Sequence, residues 1–339
     1  LSEVRNINTE DNFDVIRIKR SNNLPIRWIK TIYQIVKNGR RSDLIFVNGL
    51  GVESAIANLI LQKQLIRKIV GDPVWERAYN KKRITESFDD FQNNKHSFLI
   101  EVQKLLRNWS INSAEIVITP SDHLKSFVSG IGYSKKILKI NNGVNITDIN
   151  RANESKADIN LIIISRLVVQ KNINIVIEAM KLLDNKNLKL SIIGEGGEFS
   201  KLENTIHDLN LQNQVQLLGK IDNNKISQFL LTADIFIQAS DYEGLPHSVL
   251  EAINYEVPIL STETGGCKDL LNDGERGFII PMPPDKKVIA ENISFIIENK
   301  AEATKRANEA KSFINKKHNF LEQANQYMKI FEQNEIIEL

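Results

Sequence analysis

The sequence predicts an α/β protein built from two parallel-sheet domains, and three observations carry that prediction. Short runs of β-branched residues alternate with longer amphipathic stretches, the pattern of repeated βαβ units. The runs are almost continuously apolar, as in Asn160–Ser165 (NLIIIS), which suits sheets covered by helices on both faces. At 339 residues, 42% hydrophobic and 25% charged, the chain exceeds one ordinary domain and can fill two cores.

In the first half the expected strands are Asp14–Arg20, Asp43–Gly49, Leu65–Asp72, Glu115–Ser121 and Lys136–Val144. A basic amphipathic helix is expected over Pro25–Arg41, and one long helix over Phe88–Trp109. The second half offers strands at Asn160–Ser165, Leu188–Gly196, Val215–Ile221, Ile235–Ser240, Val257–Thr262 and Gly277–Pro281. A helix opening near Asn172 places Ile173, Val176, Ile177 and Met180 on one apolar stripe. After the turn-rich segment Pro281–Asp285 the remainder reads as charged helix. The polar, aperiodic stretch around Asn153 marks the boundary, giving domains 1–153 and 154–318 and a terminal helix over 319–339.

Composition narrows the function classes. With 44 Lys+Arg against 42 Asp+Glu the formal charge is +2, so nothing global suggests a nucleic-acid partner. The single cysteine, Cys267, rules out an internal disulfide and a multi-thiolate zinc site, and fits a reducing compartment. At a helix start it reads as a packing residue rather than a nucleophile. The five histidines lack metal-ligand spacing. No apolar run reaches membrane-span length and no signal peptide is evident, so a cytoplasmic protein is expected.

The chemistry concentrates in IFIQASDYEGLPHSVLEAINYEVPILSTETGGCKDLL. Two strands each end in a strand-to-helix turn, the first carrying Glu243 and Gly244, the second Gly265 and Gly266. Ligands of parallel sheets bind at such carboxyl ends, and helix N-termini suit a phosphate or diphosphate. Glu243 stands in the turn, where a carboxylate reaches a substrate hydroxyl. Glu251, on the following helix, can hold a ribose diol. A second element is Arg166 and Lys171, a planar fork and a mobile charge across another strand-to-helix loop, complementary to a diphosphate. The run Gly194, Gly196 and Gly197 only partly matches a dinucleotide fingerprint and is not read as nicotinamide-binding.

The blocks SRLVVQKN, IIGEGGE, LLGKI, SDYEGLPHSVLEA and STETGGCKDLL, in that order across Asp158–Pro281, resemble the carboxyl-terminal domain of retaining family 4 glycosyltransferases. The resemblance implies a GT-B fold, two facing Rossmann-like domains with a nucleotide sugar in the cleft. It implies Arg166 and Lys171 as diphosphate cations, Glu243 at the donor sugar and Glu251 at the ribose. Gly244, Leu245, Pro246, His247, Ser248, Gly265 and Gly266 then fall where the backbone meets phosphates and sugar, and Gly219, Lys220 and Ile221 frame the base. It further implies a hexosyltransferase of polysaccharide or glycoconjugate biosynthesis. Such an enzyme needs no metal or other cofactor and uses a glycan or lipid-linked acceptor. The Pro25–Arg41 helix can either rest on an anionic membrane or simply cover a sheet with its basic face in water.

Departures keep other readings open. Asp269 stands where the family often has Glu. Asp72 stands near a position where the family often has His for the transferred sugar, and serves equally well as a helix cap before Pro73. The family's opening strand and glycine-rich loop have no counterpart before Gly39. The expectation is therefore a truncated start, which leaves a non-catalytic nucleotide-sugar-binding protein as one alternative. A nucleotide-sugar epimerase of the same fold is the other.

Overall fold

The computed structural model describes residues 15–18, 23–147, 149 and 158–332. The expected boundary at Asn153 lies outside them. Contacts divide the chain into two compact units. The first holds the described residues through Ile69, with His96–Thr119 and Lys125–Lys139; the second holds Val70–Lys95, Pro120–Leu124 and everything from Ile140 on. Val70–Lys95 and Pro120–Leu124, together with the stretch from Ile140, thus belong to the second unit although they lie in the first half of the sequence.

The first unit carries a parallel sheet of β1 (Leu44–Asn48), β2 (Gln64–Lys68), β3 (Ile116–Thr119) and β4 (Lys136–Lys139), in that spatial order. With each strand added beside the last, this sheet has no reversal among the described residues. Its helices include α1 (Leu24–Gly39), capped by Asn23, and α2 (Gly51–Leu61). The strand expected at Asp14–Arg20 is not found over its described part, Val15–Ile18, because a strand needs a ladder partner and none is found among the described residues.

The helix expected over Phe88–Trp109 is two helices. Among α3 (Pro73–Asn80), α4 (Phe88–Asn93), α5 (Phe98–Asn112) and α6 (Asp122–Gly130), it corresponds to α4 and α5. Asn94 ends α4 in extended backbone, and Ser97 opens α5 while Glu101 Oε1 accepts the His96 N–H at 3.0 Å. Polar residues that bond their own backbone favour such caps over a continuous helix.

The second unit holds six parallel strands: β5 (Ile159–Ile164), β6 (Leu188–Ile193), β7 (Val215–Gly219), β8 (Ile235–Gln238), β9 (Ile259–Thr262) and β10 (Phe278–Ile280). Their order is β10-β9-β8-β5-β6-β7. Between and after them run α7 (Ile173–Leu183), α8 (Phe199–Asp208), α9 (Asn223–Thr232), α10 (His247–Asn254), α11 (Gly265–Leu271), α12 (Lys286–Glu298), α13 (Lys300–Lys317) and α14 (Phe320–Glu332). Side chains alternate across a strand, so Leu161 and Ile163 enter the core under α7 and α12, while Ile162 enters the core under α10 and α11. The expected stripe Ile173, Val176, Ile177 and Met180 is fully buried in the first of these. Lys311 of α13 ties the second together, donating to Thr147 O, Asn254 O and Asn254 Oδ1 at 2.8, 2.8 and 2.7 Å. The terminal α14 is anchored at its start on residues 141–144, Phe320 N donating to Val144 O at 3.1 Å.

Candidate active site

Strand order decides where a ligand can sit. From β5 the chain winds outward through β6 and β7, then returns to add β8, β9 and β10 on the other side. The winding reverses between β5 and β8, and a crevice opens outside the carboxyl ends of strands at such a switch point. The Arg166–Lys171 loop leaves β5 there, and the Asp241–Pro246 loop leaves β8.

The glycines after β6 shape the first of these loops. Gly194 has φ +144°, and a Cβ on it would lie 1.8 Å from Ser165 O; one on Gly196 would lie 2.1 Å from Leu167 O. Only glycine lets the β6 loop lie so close. The close approach is then sealed by backbone bonds from Leu167 N to Glu195 O and from Glu198 N to Leu167 O, both 3.0 Å. Gly194 N also donates to Gly219 O at 2.8 Å, linking the β7 loop, where Gly219 is left-handed and Lys220 exposed.

Lys171 and Glu243 meet across the switch point as an ion pair, their side chains only 8% and 14% exposed. Ser240 Oγ donates to the same Glu243 oxygen at 2.8 Å. Next to them Asn172, left-handed at φ +49°, donates to Ala239 O at 3.0 Å and Asp241 Oδ1 at 2.7 Å. The other Asp241 oxygen accepts from Tyr79 at 2.7 Å. Burial pushes the Asp241 carboxyl up, against the downward pull of these two bonds. Asn80 and Gln170 add a reciprocal pair, so α3 is fastened to both loops.

Arg166, largely exposed, pairs with Glu76 of α3 at 3.0 Å. Below them Tyr242 stacks on Phe88 with centroids 4.1 Å apart and meets the edge of Trp75 at 5.3 Å. The Tyr242 hydroxyl is buried without a partner, and burial raises its pKa well above the usual value. His123 Nε2 lies 2.9 Å from Asp89 Oδ1, and that bond holds the Asp89 carboxyl below its ordinary range.

Other sequence candidates fall as follows. Asp72 is fully buried as the N-cap of α3, with Oδ1 accepting from Val74 N at 2.9 Å and Oδ2 from Gln92 at 3.1 Å. The cap is thus the role the structure shows for it. Gly244 and Gly266 are close-approach glycines: a Cβ would fall 2.4 Å from Val70 O and from Gly244 O respectively. Gly266, expected where the backbone meets phosphates, instead donates its N–H to Glu243 O at 3.2 Å, because the two turns bond each other. Leu245 and Pro246 are buried, and Leu245 O accepts from Asn142 at 3.1 Å. His247 is exposed at the start of α10, with Ser248 beside it half-buried. Glu251 is half-buried on α10; its carboxylate has no hydrogen-bond or ion-pair partner among the described residues, and burial raises its pKa. Cys267 is fully buried, accepts from Gln238 at 3.1 Å, and its thiol is pushed up to about 11. Among the described residues no group of three or more His, Cys, Asp or Glu side chains is arranged to hold a metal.

Sequence spacing gave no signal for the Arg166–Glu76, Asp241–Tyr79 or His123–Asp89 pairs, whose members lie far apart in the chain. Residues 145–313, the unit's sheet and most of its helices, match the family described as glycosyl transferases group 1. The chain carries a group 1 glycosyltransferase domain. The 2-deoxystreptamine N-acetyl-D-glucosaminyltransferase of Niallia circulans is 26% identical over 289 residues, covering 81% of this chain and 71% of that protein. The amylovoran biosynthesis glycosyltransferase AmsK of Erwinia amylovora is 30% identical over 126 residues, covering 35% of this chain and 31% of that one. HepE of Anabaena, crystallised with UDP and glucose, superposes with a TM-score of 0.75 at 20% identity, over 89% of this chain and 81% of that one. The likeness to HepE gives the chain the GT-B fold, and the residues matched by the family include Arg166, Lys171, Glu243 and Glu251.

Proposed function

We propose that this protein is a retaining hexosyltransferase. It moves a sugar from a nucleoside-diphosphate donor to a glycan or lipid-linked acceptor in polysaccharide or glycoconjugate biosynthesis. The observation that carries this reading is that Arg166, Lys171 and Glu243 all stand in the loops that leave β5 and β8 at the switch point, where Lys171 and Glu243 form an ion pair. HepE, similar in fold, was crystallised with UDP and glucose, which supports a nucleotide sugar as donor.

Breaking the bond between sugar and diphosphate develops positive charge on the sugar and negative charge on the leaving group. Arg166 and Lys171 stabilise the leaving diphosphate, an electrostatic contribution largest where water is excluded. Glu243, held by Lys171 and Ser240, orients a hydroxyl of the donor sugar. Glu251, whose carboxylate lacks a protein partner, accepts from the ribose diol. The acceptor proton passes to the leaving phosphate oxygen on the same face, so the reading asks for no protein nucleophile and no metal. On α1, exposed Ile26, Ile29 and Tyr33 alternate with Arg27, Lys30 and Lys37, a pattern that supports peripheral contact with an anionic membrane as part of this reading.

Thermal unfolding in the presence of UDP-, GDP- and ADP-sugars tests the reading. A donor raises the midpoint with a concentration dependence set by its affinity, and Glu243→Ala abolishes transfer from that donor. Release of an epimerised nucleotide sugar without any acceptor overturns it.

A further inference from the structure

The cation given to the diphosphate also has a partner within the protein. Arg166 Nη2 lies 3.0 Å from Glu76 Oε2, the guanidinium side chain 62% exposed and the carboxylate 27%. The other oxygen of Glu76 leans over Gly71. The position a Cβ on Gly71 would take is 2.9 Å from Glu76 Oε1 and 4.0 Å from the Tyr242 hydroxyl. That hydroxyl is closed off from solvent and unpartnered, on a side chain 4% exposed. Glu76 therefore holds a guanidinium with one oxygen, while its other oxygen and the unpartnered Tyr242 hydroxyl both border the space over Gly71.

We propose that Glu76 is an exchange carboxylate of the donor site. It occupies Arg166 while the site is empty, yields the guanidinium to the diphosphate of an incoming nucleotide sugar, and turns to the Tyr242 hydroxyl. This inference rests on the reading of Arg166 as a diphosphate ligand. A carboxylate and a diphosphate want the same planar fork, and the more highly charged anion displaces the other. A buried hydroxyl left unsatisfied in a native fold calls for a partner, and the displaced carboxylate supplies one. No covalent bond is made or broken; the step exchanges one ion pair for another and adds a hydrogen bond.

The test is calorimetric titration of the intact protein with UDP, GDP and ADP. Glu76→Gln is expected to tighten the best-bound nucleotide about two- to five-fold at low salt, the factor that an exposed ion pair represents. Glu76→Asp, whose carboxylate is one methylene short of Arg166, tightens it likewise. Arg166→Ala weakens binding and erases the gain from Glu76→Gln. If Glu76 merely supports the fold, its substitution weakens binding, which overturns the proposal, as does no change. Should Arg166→Ala leave affinity untouched, or none of the three nucleotides bind the wild-type protein, the diphosphate reading falls and the exchange with it.

Discussion

Lys171 and Glu243 form an ion pair although one follows β5 and the other β8, and Ser240 Oγ bonds the same carboxylate oxygen. Both charges are largely out of water, so each depends on the other. Removing one partner of such a pair strands the other. Lys171→Ala is expected to cost about 3 kcal/mol in urea unfolding, and to abolish nucleotide binding. In a double-mutant cycle with Glu243→Ala the two costs should overlap by at least about 1 kcal/mol. Strict additivity would show that the two groups do not sense each other.

Two neighbouring glycines should behave oppositely. Gly194→Ala forces a side chain onto Ser165 O at φ +144° and should destabilise the protein by about 3 kcal/mol or more. Because Ser165 precedes Arg166, nucleotide affinity falls too. Gly197 has open space around it and no positive φ, so Gly197→Ala stays within about 0.5 kcal/mol. Equal losses at both positions would mean that the close approach to Ser165 is not what Gly194 serves.

Glu251 supplies a pH signature. Burial raises its carboxyl above the ordinary 4.5. The folded state then binds the proton more tightly than the unfolded chain, and stability declines as pH rises from 4.5 through the raised value. Glu251→Gln should therefore raise the melting temperature at pH 7 and leave it unchanged at pH 4. The same variant should weaken nucleotide binding at pH 7. A variant less stable than wild type at pH 7 would reveal a protein partner for Glu251.

The Cys267 thiol is fully buried and pushed up to about 11. Native protein should react with a disulfide reagent only on unfolding, and Cys267→Ala should retain nucleotide binding. Rapid labelling of folded protein would contradict both statements.

Much of the second half of the chain is legible in the sequence. Each of its expected strands appears, because an apolar run bounded by turns specifies a covered parallel strand locally. Glu243 and Lys171 were readable because each sits in a strand-to-helix turn whose position follows from that local pattern. The break between α4 and α5 was misread for the complementary reason. A polar stretch of helix and a pair of caps look alike until Asn94 is seen to leave the helix. Asp72 is readable as a cap, yet its complete burial and its bond from Gln92, twenty residues on, are not.

By itself the sequence determined the alternation of strands and helices and the chemical types standing at each turn. Those are properties of a few neighbouring residues, where side-chain period and cap chemistry act. The tertiary structure decided which turns share a crevice, because the β10-β9-β8-β5-β6-β7 order brings loops 72 residues apart onto one carboxylate. It also decided that Val70–Lys95 and Pro120–Leu124 join the second unit, so that Glu76 reaches Arg166 and Asp89 reaches His123. Contacts over such separations are set by sheet order and packing, and no periodicity in the chain encodes them.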